Sequence, residues 1–226
     1  MDFSRRRLAG IGAGLILAAG GVFIGLAAVW TRPAAPSRGT PPRPSIPAAS
    51  APAAETRPAA WAVRLDRPGL PNLHRVSADL FRGAQPVPEG YRELVSLGIR
   101  TVVSLRSFHD ERAAVEGAGM AYEHITMKAW HVEEHEAVRF LKIINDPARL
   151  PVFVHCQHGA DRTGTMCALY RVVVGGWKRE EAIAEMTKGG FGFHGIWENL
   201  VSWLWSVDMD KLREKAGVAD PVTAVP

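Results

Sequence analysis

Pro151-Val152-Phe153-Val154-His155-Cys156-Gln157-His158-Gly159-Ala160-Asp161-Arg162-Thr163-Gly164 is the stretch that decides the fold. Its first four residues form an apolar run that reads as a buried strand. Thr165-Met166-Cys167-Ala168-Leu169-Tyr170 then reads as a helix. A strand, a glycine-containing loop and a helix N-terminus make an anion site, because loop amides and the helix dipole converge there. Cys156 stands at the base of that cradle and Arg162 at the mouth of the helix, which suggests a nucleophile aimed at phosphorus.

Each residue type has a task in this reading. The thiolate of Cys156, not the thiol, is the attacking species. Loop amides, the helix dipole and Arg162 can stabilise its charge. Arg162 offers a planar fork for two phosphate oxygens. Gly159 permits a turn that points successive amides inward. Thr163 can donate a hydroxyl hydrogen bond to the sulfur, and His155 orients the loop rather than acting as base.

The segment resembles the HCxxGxxRT signature of the protein-tyrosine phosphatase superfamily, over residues 70 to 215 and closer to the dual-specificity branch. The resemblance implies a phosphocysteine intermediate at Cys156 that water hydrolyses. It implies phosphate binding by Arg162 and by the amides of Gln157, His158, Gly159, Ala160, Asp161 and Arg162, with no cofactor and no metal. Its substrates would be phosphorylated protein or, as a rival, phosphoinositide or another lipid phosphate. A non-catalytic phosphate-binding module is the bland alternative, and the intact Cys156–Arg162 pair argues against it.

The proton donor is open. The family usually takes an Asp from a loop upstream of the nucleophile, but Thr126 to His135 contains none. Asp161, inside the loop, is one candidate, because the HCxxGxDRT form resembles phosphatases in which a loop Asp serves. The bland reading of Asp161 is a loop-stabilising carboxylate. Glu133, Glu134 and His131 are the other candidates. His131-Val132-Glu133-Glu134-His135 also fits the H-x-x-E-H zinc-peptidase pattern. That pattern fixes only three residues, and nothing marks a third ligand, so a polar helix start is the preferred reading.

The N-terminal end suggests a location. Arg5, Arg6 and Arg7 precede a stretch, residues 8–30, with no charged residue, long enough to span a bilayer as a helix. An uncleaved anchor is favoured over a secretory signal. The arginines would stay cytoplasmic, placing the bulk of the chain outside, in the periplasm of a bacterium. An exported soluble form is the alternative. Gly10 with Gly14, and Gly21 with Gly25, give spacings through which two anchors could pack as a weak homodimer, although chance explains them equally well. Residues 31–60, rich in Pro and Ala, read as an extended tether.

Residues 61–226 then form one domain, large enough to bury a core without staples. The net charge of +4 gives no case for nucleic acid. Alternating strand and helix signals predict an α/β fold, a central mostly parallel sheet flanked by helices, with the site at a strand's carboxyl end. Helices are expected at 89–97, 110–116, 133–145, 163–174, 179–188 and, unbroken, 196–215. Cys167 is expected buried on the helix after the loop, with a disulfide to Cys156 as a minor alternative. Arg82 is expected in a salt bridge rather than at phosphate, and Arg106 either at the rim or paired with Glu111. Phe191-Gly192-Phe193-His194-Gly195 is a glycine-flexed aromatic loop that packs or borders the pocket.

Overall fold

Strand alternation divides the interior into two apolar layers. In the computed structural model, which describes residues 60–220, a six-stranded sheet runs in the order β1-β2-β3-β6-β4-β5. The strands are β1 (Val63–Arg64), β2 (His74–Arg75), β3 (Leu80–Gly83), β4 (Thr101–Ser104), β5 (Ala121–His124) and β6 (Val152–His155). β3, β6, β4 and β5 pair in parallel, and β1 and β2 add an antiparallel edge beside β3. The sheet is thus mostly parallel, as the alternating elements predict, and β1 is too short to carry a sequence pattern.

Side chains of successive strand residues point to opposite faces. Val102, Phe81, Phe153 and Tyr122 therefore join one layer, covered by α1 (Gly90–Ser96) and α2 (Arg112–Gly117) through Leu94 and Val115. Val103, Val152 and Val154 join the other layer. There they meet α3 (Glu134–Ile144), α4 (Asp161–Val173), α5 (Arg179–Lys188), α6 (Glu198–Ser206) and α7 (Met209–Ala216). Phe140, Met166, Leu169, Met186, Leu200 and Leu212 fill it.

The single helix expected over 196–215 is three elements. A 3-10 turn, Gly195–Trp197, leads into α6, which stops where Val207 turns extended, before α7. Asp208 explains the break: its carboxylate accepts from Lys211 N at 3.0 Å, a capping bond that a helix interior would forfeit. Arg179 donates to Leu204 O at 3.0 Å and Val207 O at 3.1 Å, taking carbonyls that the break frees.

A buried ion pair, Arg171 with Glu185, fastens the start of the described chain to α4 and α5. Glu185 accepts from Ala62 N at 2.6 Å and Arg171 donates to Ala60 O at 3.2 Å. The anchor expected at 8–30 and all but the last residue of the tether expected at 31–60 lie outside the described residues. Among the described residues, no helix is long and apolar enough to cross a membrane.

Candidate active site

β6 ends at His155 and delivers Cys156, 2% exposed, to the floor of a loop that closes on α4. Register fixes the neighbourhood, since Gly83 of β3 and Ser104 of β4 both stand beside His155. Gly159 passes directly over β3 with φ +68°, and a Cβ there would lie 2.3 Å from Gly83 O. Both the backbone angle and the close approach demand glycine.

The loop is held by its carbonyls. Gln85 N donates to Gln157 O at 3.3 Å, and Asn72 Nδ2 donates to His158 O at 2.9 Å. Arg82, 1% exposed, donates to Gly159 O at 2.8 Å and Ala160 O at 3.4 Å. A trans peptide points its N–H opposite to its C=O. Securing these four carbonyls from outside therefore turns the amides of His158, Gly159, Ala160 and Asp161 toward the cradle. Arg82 thus braces the loop from beneath, where a salt bridge was expected, with its guanidinium 3.7 Å over the Phe191 ring.

Arg162 is poised at the mouth. Its Nη1 donates to Leu105 O and Met127 O, each at 3.2 Å, carbonyls that follow β4 and β5. Thr163 Oγ1 is buried without a hydrogen-bond partner among the described residues. Cys156 and Cys167 are both free thiols. Burial pushes Cys167 up to about 11, so it is an inert core thiol.

Behind the nucleophile lies a polar cluster that the sequence reading missed. Buried Glu111 places Oε1 2.5 Å from His155 Nε2 and accepts from Tyr91 Oη at 2.6 Å and from Gln85 Nε2. His155 Nδ1 faces Cys156 O at 3.2 Å. Burial pushes the Glu111 carboxyl up, but His155, Tyr91 and Gln85 outweigh it and hold the group at about 2. Arg106 does not take Glu111; it donates to Gln85 Oε1 at 3.4 Å. The sequence marked Glu111 only as an acidic residue of the helix expected at 110–116 and as a candidate partner of Arg106.

The four proton-donor candidates separate. Asp161 Oδ1 accepts from His194 N at 2.9 Å, and His194 Nδ1 lies 2.9 Å from Oδ2. The aromatic loop thus borders the cradle through His194, whose ring centroid is 5.5 Å from that of His158, while Phe191 packs in the core. Glu134 turns to Lys211 and Lys215 on α7, which hold its carboxyl below the usual range. Glu133 pairs with His131 at 3.0 Å. Glu133 itself caps α3, where Glu136 Oε2 accepts from its backbone N at 2.9 Å. His131 therefore precedes the helix, and the i, i+4 pair required for zinc on one helical face does not form. Among the described residues no cluster of three metal-ligating side chains occurs.

Residues 68–200 match the model of the family PTP-NADK, described as a DSP-PTPase phosphatase fused to NAD+ kinase. The dual specificity protein phosphatase TpbA of Pseudomonas aeruginosa is 36% identical over 161 residues, covering 71% of this chain and 72% of TpbA. A crystal structure of TpbA superposes with a TM-score of 0.64 at 35% identity, over 72% of this chain and 99% of that one. A second, in complex with pTyr, gives 0.64 at 34% identity, over 73% of this chain and 100% of that one. The mouse phosphatidylglycerophosphatase and protein-tyrosine phosphatase 1 is 28% identical over 127 residues, 51% of this chain and 65% of that protein. With the family model spanning more than half of its length, the chain belongs to the dual-specificity-like bacterial branch of the cysteine-dependent protein-tyrosine phosphatases and is a phosphoric monoester hydrolase.

Proposed function

We propose that this phosphatase acts on phosphorylated protein, phosphotyrosine foremost, through a phosphocysteine intermediate at Cys156. The observation that carries the reading is the carbonyl-anchored loop, with its amides turned over Cys156 and Arg162 held at its mouth. In the first step Cys156 Sγ forms a bond to phosphorus, the ester P–O bond breaks, and the leaving oxygen takes a proton. In the second, water attacks phosphorus while giving a proton to the group that protonated the leaving oxygen, the S–P bond breaks, and phosphate leaves with the Cys156 thiolate restored. Arg162 and the loop amides stabilise the charge spread over the transferring oxygens. The Thr163 hydroxyl serves the departing sulfur. The substrate assignment is supported by TpbA, a relative crystallised with pTyr.

The Asp161–His194 pair supplies the leaving-group proton. The pair is the one among the candidates that includes a residue of the loop itself. A carboxylate set behind an imidazole orients it and stabilises its protonated form. Residues 8–30 anchor the chain, and residues 31–60 hold the domain outside the cytoplasmic face. That assignment rests on the charge pattern of the sequence.

Activity of the full chain on phosphopeptides and phosphoinositides tests the reading. Cys156→Ser should abolish turnover while phosphopeptide binding persists; substantial residual turnover would sink the mechanism. Faster turnover of phosphoinositides than of phosphopeptides would instead assign a lipid substrate. Asp161→Asn and His194→Gln should lose activity on poor leaving groups and keep it on good ones, whereas Glu133→Gln should not. A reporter fused after residue 60 that is active in the cytoplasm would refute the topology.

A further inference from the structure

The polar cluster behind β6 has the build of a device for setting the nucleophile. His155 is fully buried, with its ring stacked 5.6 Å from that of Phe153. Each of its nitrogens meets an acceptor. Nδ1 faces the Cys156 carbonyl at 3.2 Å, and Nε2 faces the Glu111 carboxylate at 2.5 Å, as an ion-pair contact rather than an aligned hydrogen bond. A neutral imidazole carries one proton and would turn a lone pair on one of these oxygens. Only the imidazolium presents an N–H toward both.

Glu111 is itself fixed. Tyr91, from α1, donates to it at 2.6 Å, and Gln85 also donates to it while bonding the loop at Gln157 O. The other titratable or charged groups around this cluster and the nucleophile include Tyr122 from β5, Asp110 and Arg112 on either side of Glu111, Arg106 after β4, Asp161 and Arg162 at the start of α4, Arg82 beneath the loop, and Cys167 within α4. Of these, Arg106 is bonded to Gln85, Asp161 to His194, and Arg162 to main-chain carbonyls.

We propose that Glu111 is a positioning residue for the nucleophile: its carboxylate keeps buried His155 doubly protonated, and His155 in turn fixes the Cys156 carbonyl and puts a cation on the residue next to the nucleophile. This rests on the reading of Cys156 as nucleophile. Without Glu111, burial favours loss of the His155 proton, and the Cys156 thiolate loses that support. The opposite sign follows if Glu111 acts only as a nearby negative charge, since its removal would then make the thiolate easier to form.

The test is the pH dependence of iodoacetamide alkylation at Cys156 in the full chain, read by peptide mass spectrometry so that Cys167 is counted separately. Glu111→Gln should shift the Cys156 profile to higher pH by about one unit, roughly tenfold less thiolate on its acid side. The acid limb of kcat/KM should shift with it. Tyr91→Phe, which leaves the carboxylate in place, should move both in the same direction by less. A profile that is unmoved or shifted to lower pH overturns the proposal. Should the glutamine variant not fold, nitrogen NMR of His155 in the unaltered chain decides: two protonated ring nitrogens at neutral pH are expected, and one refutes it. Trapping phosphocysteine in the unaltered chain keeps the two readings apart. Its absence removes the nucleophile assignment, whereas its presence with an unmoved profile removes only the role of Glu111.

Discussion

Replacing Gly159 by alanine tests the loop geometry most directly. The residue has φ +68°, and an added Cβ would meet Gly83 O and Gly83 C at 2.3 Å and Ala84 N at 2.5 Å. The left-handed backbone alone costs an L-residue about 1–2 kcal/mol. The collision adds about 1–3 kcal/mol, because its partners are main-chain atoms of β3 and the turn after it, not a flexible side chain. The expected loss is therefore about 3 kcal/mol, read as a lower urea midpoint at unchanged slope. Relief by lifting the loop would also pull Gly159 O from Arg82 and tilt the amides off phosphate. A displacement near 1 Å lowers kcat/KM by about a hundredfold. Urea denaturation and p-nitrophenyl phosphate kinetics on the same preparation give both numbers. A variant with native stability and native kcat/KM would show that the loop does not need the close approach to β3, and the account of the cradle would fail.

Arg82→Leu should destabilise the domain by roughly 3 kcal/mol, because Gly159 O and Ala160 O lose a charged donor in a buried site; urea denaturation checks it, and native stability would contradict the bracing role. Arg162→Lys should cut kcat by about a hundredfold or more by exchanging a planar fork for a point charge, with Cys156 alkylation retained; a variant within threefold of normal would refute the clamp. Glu111 makes stability depend on pH: its folded-state value of about 2 lies below the ordinary 4.5, so its contribution is complete above about pH 4.5 and drains as pH falls toward 2. That contribution is on the order of 3 kcal/mol, and the stability of Glu111→Gln should be flatter across this window; parallel curves for the two proteins would refute it.

The parts of this fold that were legible in the sequence are those written locally. Val152 to Arg162 carries strand, turn and helix start in one run, and α5 falls at Arg179–Lys188, the range expected from the sequence. The unbroken helix over 196–215 failed because apolar spacing continues across Val207 while Asp208 quietly supplies a cap. That signal, an Asp with a backbone donor three residues on, was there to be read. Glu111, His194, Asn72 and Arg82 are different. Each acts on the loop from a remote element, and a charge or an amide in isolation does not announce which carbonyl or imidazole the fold will set against it. Asp161 and Arg162, by contrast, stand in the local run, and the fold sets His194 against the one and the Leu105 carbonyl against the other.

The distribution of charge around Cys156 explains why a buried loop can tolerate so many ionisable groups and still favour a dianion. Buried carboxylates are expensive unless paired. Both carboxylates beside the loop are met by histidines, Glu111 by His155 and Asp161 by His194. Arg162 instead donates to main-chain carbonyls. Those bonds, both from Nη1, do not neutralise the guanidinium, and phosphate oxygens are stronger acceptors for its fork. The carboxylates are thus prevented from repelling the substrate, while the arginine keeps its charge until phosphate arrives. The same logic places the cost of assembly in the histidines. Each must hold a proton or a geometry that the neighbouring carboxylate dictates, so a change at Glu111 or Asp161 should reach the chemistry through its imidazole, not through the core.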